Sequence, residues 1–155
     1  MKGLMKWPLF LAALLVVLRM VAEHMGAPET INKIFGVTWL FFFVPIYFAR
    51  KIAATSDARP YKTLFAKLAL YVALVRLMLL PVYWLAYKFN WSALRFSAEQ
   101  GGVVGDEIAP LSGYVLIPLG AFFFWIVAGT LVGGGIGSLV LAWQRRGLTK
   151  NPAGF

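Results

Sequence analysis

The sequence predicts an all-α integral membrane four-helix bundle. Three observations carry that reading. Hydrophobic residues make up 61% of the 155 positions, against roughly 45–50% in soluble domains. Charged residues are only 14%, where a soluble chain has roughly 25%. Finally, several stretches reach or approach the about 20 apolar residues that a membrane-crossing helix needs. A mean hydropathy of +0.76 would force a water-soluble fold to leave much apolar surface exposed.

The elements follow in chain order within a single transmembrane domain over 1–155. Spans are expected at 4–22, 31–49, 65–88 and 114–143, with connecting loops at 50–63 and 89–110. The first span opens with Lys2 and Lys6 and holds an apolar run, Trp7 to Leu18. That run resembles the core of a signal peptide, but Arg19 and Glu23 crowd its end and no small-x-small cleavage site follows. It is therefore read as a retained helix. The turn "GAPET" then leads to the second span, with Thr30 or Glu29 placed to cap it. The third span is apolar from Leu68 to Tyr87 except for Arg76. The fourth lies in a stretch longer than a bilayer requires, so it must tilt or project.

Pro45, Pro81 and Pro118 fall one in each of the last three spans, and kinks are expected there. Each removes an amide and frees the carbonyl four residues earlier, at Phe41, Leu77 and Tyr114. Gly129, Gly133 and Gly137 recur every fourth position of the last span, a double small-xxx-small face suited to close helix packing. In the 89–110 loop, "WSALRF" has the composition to lie flat at an interface. "EQGGVVGDE" reads as a flexible turn.

Basic residues set the orientation. With the N-terminus cytoplasmic, Lys2, Lys6, Arg50, Lys51, Arg59, Lys62, Lys67, Arg145, Arg146 and Lys150 lie inside, while Lys33, Lys88 and Arg95 lie outside. The chain is thus expected in the cytoplasmic (inner) membrane with both termini cytoplasmic. The formal charge of +9 then belongs to topology and to anionic lipid headgroups, and nucleic acid is not expected as a partner.

Five residues form the candidate polar or ligand site: Arg76, Arg19, Glu23, His24 and Tyr83. Arg76 is near the middle of its span, where a guanidinium costs roughly 2.5–3.5 kcal/mol on insertion scales. It is expected to point inward, on a stripe with Ala69, Ala73, Leu80 and Tyr83, and to find a polar partner. The candidates are Thr38, Tyr83, a carbonyl freed by proline, water, or an anion brought by a lipid, ligand or second subunit. Arg19 and Glu23, four apart, share a helix face, and His24 adjoins them.

Much chemistry is excluded by residue type. With no cysteine and a single histidine, the chain has no disulfide, no thiolate metal site, no Cys nucleophile and no haem held by two of its own histidines. Glu23, His24 and Glu29 lack the spacing of a zinc motif, and no cofactor or catalytic residue is assigned. Length and span number are similar to membrane-associated glutathione transferase-like proteins, but their Glu-x-x-x-Asn-x-x-Glu signature is missing. Small multidrug transporters embed a Glu in the first helix, whereas Glu23 falls at its end. The expected function is a non-catalytic membrane subunit or scaffold, packed in a larger complex or homo-oligomer among membrane lipids. The alternatives are a small channel or transporter for an anion or amphiphile built on Arg76 and Arg19, and a lipid-modifying enzyme.

Overall fold

The computed structural model describes residues 3–150, with side chains to 146, so the side chains of Lys2 and Lys150 in the basic count lie outside the described residues. Within that range the chain is all-helical, with no strand. The α-helices are α1 (Lys6–His24), α2 (Glu29–Ile34), α3 (Leu40–Ala53), α4 (Pro60–Lys88) and α5 (Ile117–Lys150). They make four segments long and apolar enough to cross a membrane: α1, α2 with α3, α4, and α5 with its preceding turn. The end that carries the 25–28 and 89–111 connections is called distal below; the 54–59 connection marks the proximal end.

The second span differs from the expected single helix over 31–49. It breaks after α2, where Gly36 is extended (φ −70°, ψ 133°), and resumes through a 3-10 turn, Val37–Trp39, into α3. The local reasons are legible. Gly36 has poor helix propensity, and Val37 and Thr38 are β-branched. A side chain at Gly36 would also crowd the Lys33 carbonyl at 3.0 Å and Arg19 Nη1 at 3.5 Å. The Trp39 indole N–H donates to that Lys33 carbonyl (3.2 Å), which also accepts from the Gly36 amide (3.0 Å).

The prolines divide into two kinds. Pro45 and Pro81 lie inside α3 and α4, which continue through them. Pro118 is the second residue of α5, directly after a π-helical turn, Ser112–Leu116. The Tyr114 carbonyl that Pro118 leaves without an amide accepts the Trp84 indole N–H at 2.8 Å. That contact, with Tyr87 Oη donating to the Ile108 carbonyl (3.1 Å), stitches the start of the last span to α4.

The core lies among α3, α4 and α5. Buried side chains of α3 (Phe41, Val44, Phe48, Ile52) meet Leu64, Leu68, Val72, Val75 and Leu79 of α4. The glycine face of α5 closes this contact. A Cβ added at Gly129 would lie 3.2 Å from Val72, at Gly133 2.9 Å from Pro45, and at Gly137 2.9 Å from Leu64. Without side chains there the helices approach closely and gain dispersion contacts, the means of helix association where water is absent. The neighbouring Gly134, which sequence spacing did not single out, is seated against the Phe65 ring. Helix α1 is peripheral and buries chiefly Pro8, Ala12 and Val16. At the proximal end Arg145 Nη2 donates to the Asp57 carbonyl (3.0 Å), tying α5 to the 54–59 connection.

The 89–110 loop is ordered and folds back into the bundle. Phe96 and Val103 are fully buried (0% exposed). The backbone of Val104 bonds to that of Phe96 and Ala98, at 2.7 Å each, and the Gly102 amide donates to the Ser97 carbonyl at 2.8 Å. A Cβ at Gly102 would collide with the Phe96 backbone at 2.2 Å, so only glycine closes this loop. The turn expected to be flexible is held by that contact, and "WSALRF" plugs the distal end with Phe96 where an interfacial layer was expected.

Candidate functional site

The chemistry-bearing side chains gather at the distal end around Glu23. This residue sits in the last turn of α1, and its side chain is only 3% exposed. Its two oxygens are divided between two arginines. Oε1 accepts from Arg19 Nε at 2.8 Å, one turn earlier on the same helix. Oε2 accepts from Arg95 Nη2 at 2.8 Å, 72 residues away in the re-entrant loop. Arg19 Nη2 also lies 3.9 Å from Glu29 at the start of α2, a looser contact. One carboxylate thus joins α1 to the loop, while Arg19 reaches the break in the second span. Each oxygen accepts one charge-assisted donor, so Glu23 is the anion that ties the two arginines together.

Arg76 sits on the buried face of α4 with Leu68, Val72, Val75 and Leu79 and is 8% exposed. The expected stripe is therefore shifted: Ala69, Ala73 and Leu80 flank that face and are half-buried. Inward orientation holds, but the partners are aromatic. Its guanidinium carbon lies 4.5 Å from the Trp125 ring centre and 5.5 Å from that of Phe41. The two rings are 6.0 Å apart and roughly parallel, forming a wall along the side chain. Cation–π attraction in a desolvated site is worth about 2 kcal/mol and offsets part of the burial cost. Arg76 Nε remains buried with no hydrogen-bond partner. Thr38 is exposed in the Val37–Trp39 turn and does not supply one.

Arg95 connects the two groups. It was read from sequence as an outside charge setting topology, and the structure makes it the centre of the cluster. Its guanidinium stacks over Phe96 at 4.3 Å, and its Nε is a second buried donor without a partner. Burial pushes its proton affinity down, an effect that the Glu23 carboxylate opposes and Arg19 reinforces. Tyr83 is half-buried one face over on α4, its ring edge-on to Phe96 at 5.5 Å, within electrostatic reach of both Arg76 and Arg95. The one available sequence signal for Arg95 was its place beside Phe96 in an otherwise apolar loop segment. No periodicity in the loop says that this segment turns inward.

His24 stays at the rim. It is exposed, its ring is edge-on to Trp91 at 4.5 Å, and Nδ1 lies 3.2 Å from the Met20 carbonyl. A polar cavity of about 230 Å³ opens beside it, lined by Glu23, His24, Asn90, Trp91 and Ser92 among others. A separate apolar groove of about 540 Å³ runs between α1 and α3, with Trp7, Phe10, Phe43 and Tyr47 in its walls. Among the described residues no group of three or more His, Cys, Asp or Glu side chains comes together to hold a metal. The arrangement as a whole is a donor-rich, aromatic-walled, net-positive cluster. No protein-family model, curated protein or solved structure matches this chain.

Proposed function

We propose that this chain is a non-catalytic integral membrane subunit that packs through α5 against another membrane protein or a second copy of itself. The observation that carries the reading is the state of α5. The stretch Ser112–Arg146 is 35 residues long, and only 11% of its apolar window is buried inside the bundle, against 39% for α4. At 1.5 Å per residue such a helix spans about 50 Å, well beyond a hydrocarbon core of about 30 Å. Its inner face is consumed by the glycine contact with α3 and α4. Its outer face presents Leu116, Leu119, Phe123, Phe124, Val127, Leu131, Leu139 and Trp143. Lipid covers such a face adequately; the excess length and the aromatic content favour a protein partner.

The accompanying orientation puts the proximal end on the cytoplasmic side of an inner membrane, a reading supported by Lys6, Arg50, Lys51, Arg59, Lys62, Lys67, Arg145 and Arg146 collecting there. The prolines inside α3 and α4 bend those spans to fit the bundle. Purification of the full chain from its native membrane in a mild detergent, followed by mass determination, tests the reading. A stoichiometric membrane partner or a homo-oligomer supports it, and substitution of Phe123 and Leu131 by Ala should weaken that assembly. A monomer carrying lipid alone overturns it.

A further inference from the structure

We propose that Arg76 and Arg95 hold a phosphate-class oxyanion in the distal half of the bundle, among α4, α5 and the re-entrant loop. The first support is charge. Arg19, Arg76 and Arg95 converge where Glu23 is the one closely bonded carboxylate, with Glu29 a distant second at 3.9 Å from Arg19. Both Glu23 oxygens are already taken, one by Arg19 and one by Arg95. Arg76 therefore has no counter-ion among the described residues, although it is 92% buried, being 8% exposed. Isolated buried charge is costly, and proteins pair it or coordinate it.

The second support is direction. Arg76 Nε and Arg95 Nε are both buried N–H donors with no acceptor. Stacking on Trp125 and Phe96 orients each guanidinium plane, and Nε is the buried donor left over on each, Arg95 Nη2 being already given to Glu23. Tyr83, edge-on to Phe96, is in electrostatic reach of both. Two weakly hydrated guanidiniums, each with a buried N–H to place, suit an anion with several oxygens better than a monatomic halide. A tetrahedral phosphate group matches them, since guanidinium forks bind it bidentately. The site is also built: the loop that brings Arg95 inward is fixed by Phe96, Val103 and the close backbone contact at Gly102. Non-helical backbone survives at this depth only when buried in protein or lining a cavity.

Depth leaves two sources for the same group. Arg76 lies 12 residues before the end of α4 at Lys88, about 18 Å along the helix axis. That distance is within reach of a lipid headgroup drawn into the bundle, or of a free phosphate entering from the distal side. The test uses the full chain in mild detergent, with thermal melting against inorganic phosphate at constant ionic strength and native mass spectrometry for retained phospholipid. Stabilisation by inorganic phosphate that weakens at least roughly tenfold in Arg76→Gln and Arg95→Gln, but not in Lys62→Gln, assigns free phosphate. No response to phosphate, with one phospholipid per chain retained by the native protein and by Lys62→Gln but lost from both arginine variants, assigns a headgroup. Arg76→Lys should restore only part of either effect, because an ammonium lacks the fork. A native chain that neither responds to phosphate nor retains phospholipid overturns the proposal, whatever the variants do. So does retention unchanged in both arginine variants.

Discussion

Glu23 shows how much of the distal end rests on one side chain. It is the shared acceptor of Arg19 and Arg95, so it fixes the end of α1 and the re-entrant loop together. Glu23→Gln keeps the size and removes the charge, leaving Arg95 without a counter-ion and Arg19 with only the looser contact to Glu29. Breaking a buried pair in this way costs about 3–5 kcal/mol, and the lower end applies because both arginines keep some contact with solvent. A melting curve in detergent should therefore shift strongly downward for Glu23→Gln; an unchanged melt means the pairs are not closed. Trp125 makes a contrasting case. Trp125→Leu preserves an apolar wall but removes the nearest ring face from Arg76. The expected loss is about 1–2 kcal/mol beyond any packing change, read as the difference between Trp125→Leu alone and in an Arg76→Leu background. If that difference is zero, the ring contact with Arg76 contributes nothing.

Among the helices, α5 carries a sharp contrast between glycines that look alike in sequence. Gly133 and Gly135 are two residues apart on opposite sides of the helix. A Cβ at Gly133 would press on Pro45 at 2.9 Å, whereas one at Gly135 would meet nothing within 4 Å. Gly133→Leu should push α5 from α3, at the about 1–3 kcal/mol typical of overpacking or more. Gly135→Ala should be neutral or stabilising by up to about 1 kcal/mol through helix propensity. Parallel melts of the two variants decide it, and equal effects would mean that the packing face is misplaced. The same logic applies to the loop. Gly102→Ala forces a methyl into the Phe96 backbone, which cannot rotate away. It should release the plug, seen as new protease cleavage between Ala98 and Glu107 with the helices intact by circular dichroism. A loop that stays protected in Gly102→Ala would show that its closure does not depend on that contact.

For the molecule as a whole, the absence of cysteine makes topology directly measurable. Ser56→Cys in the proximal connection and Asp106→Cys in the distal loop place single thiols at exposed positions. With the proximal end in the cytoplasm, an impermeant thiol reagent added outside sealed cells should label Asp106→Cys and spare Ser56→Cys. The opposite pattern inverts the chain. Labelling of both from one side would place the two connections on the same face and remove the four-span reading.

Composition and hydropathy alone determined the all-helical architecture, four apolar segments and the placement of basic residues at the proximal end. Each is a one-dimensional property: a helix satisfies its own backbone, so its existence follows from a local run of apolar residues. The close spacing at Gly129, Gly133 and Gly137 was legible for the same reason, since a period of four on a helix is a face. Arg19 with Glu23 was legible as a local pair four residues apart. What the sequence left open is everything that joins distant segments. The break at Gly36 sets its backbone beside Arg19 of α1, and an unbroken hydropathy trace passed over it. Arg95 meets Glu23 across 72 residues because a loop with no periodicity folds inward around a glycine contact. The aromatic wall of Arg76 is drawn from α3 and α5, two elements that no local pattern pairs with residue 76. Helices are written locally, but the neighbours of a buried charge are chosen by three-dimensional packing, and only the tertiary structure decides them.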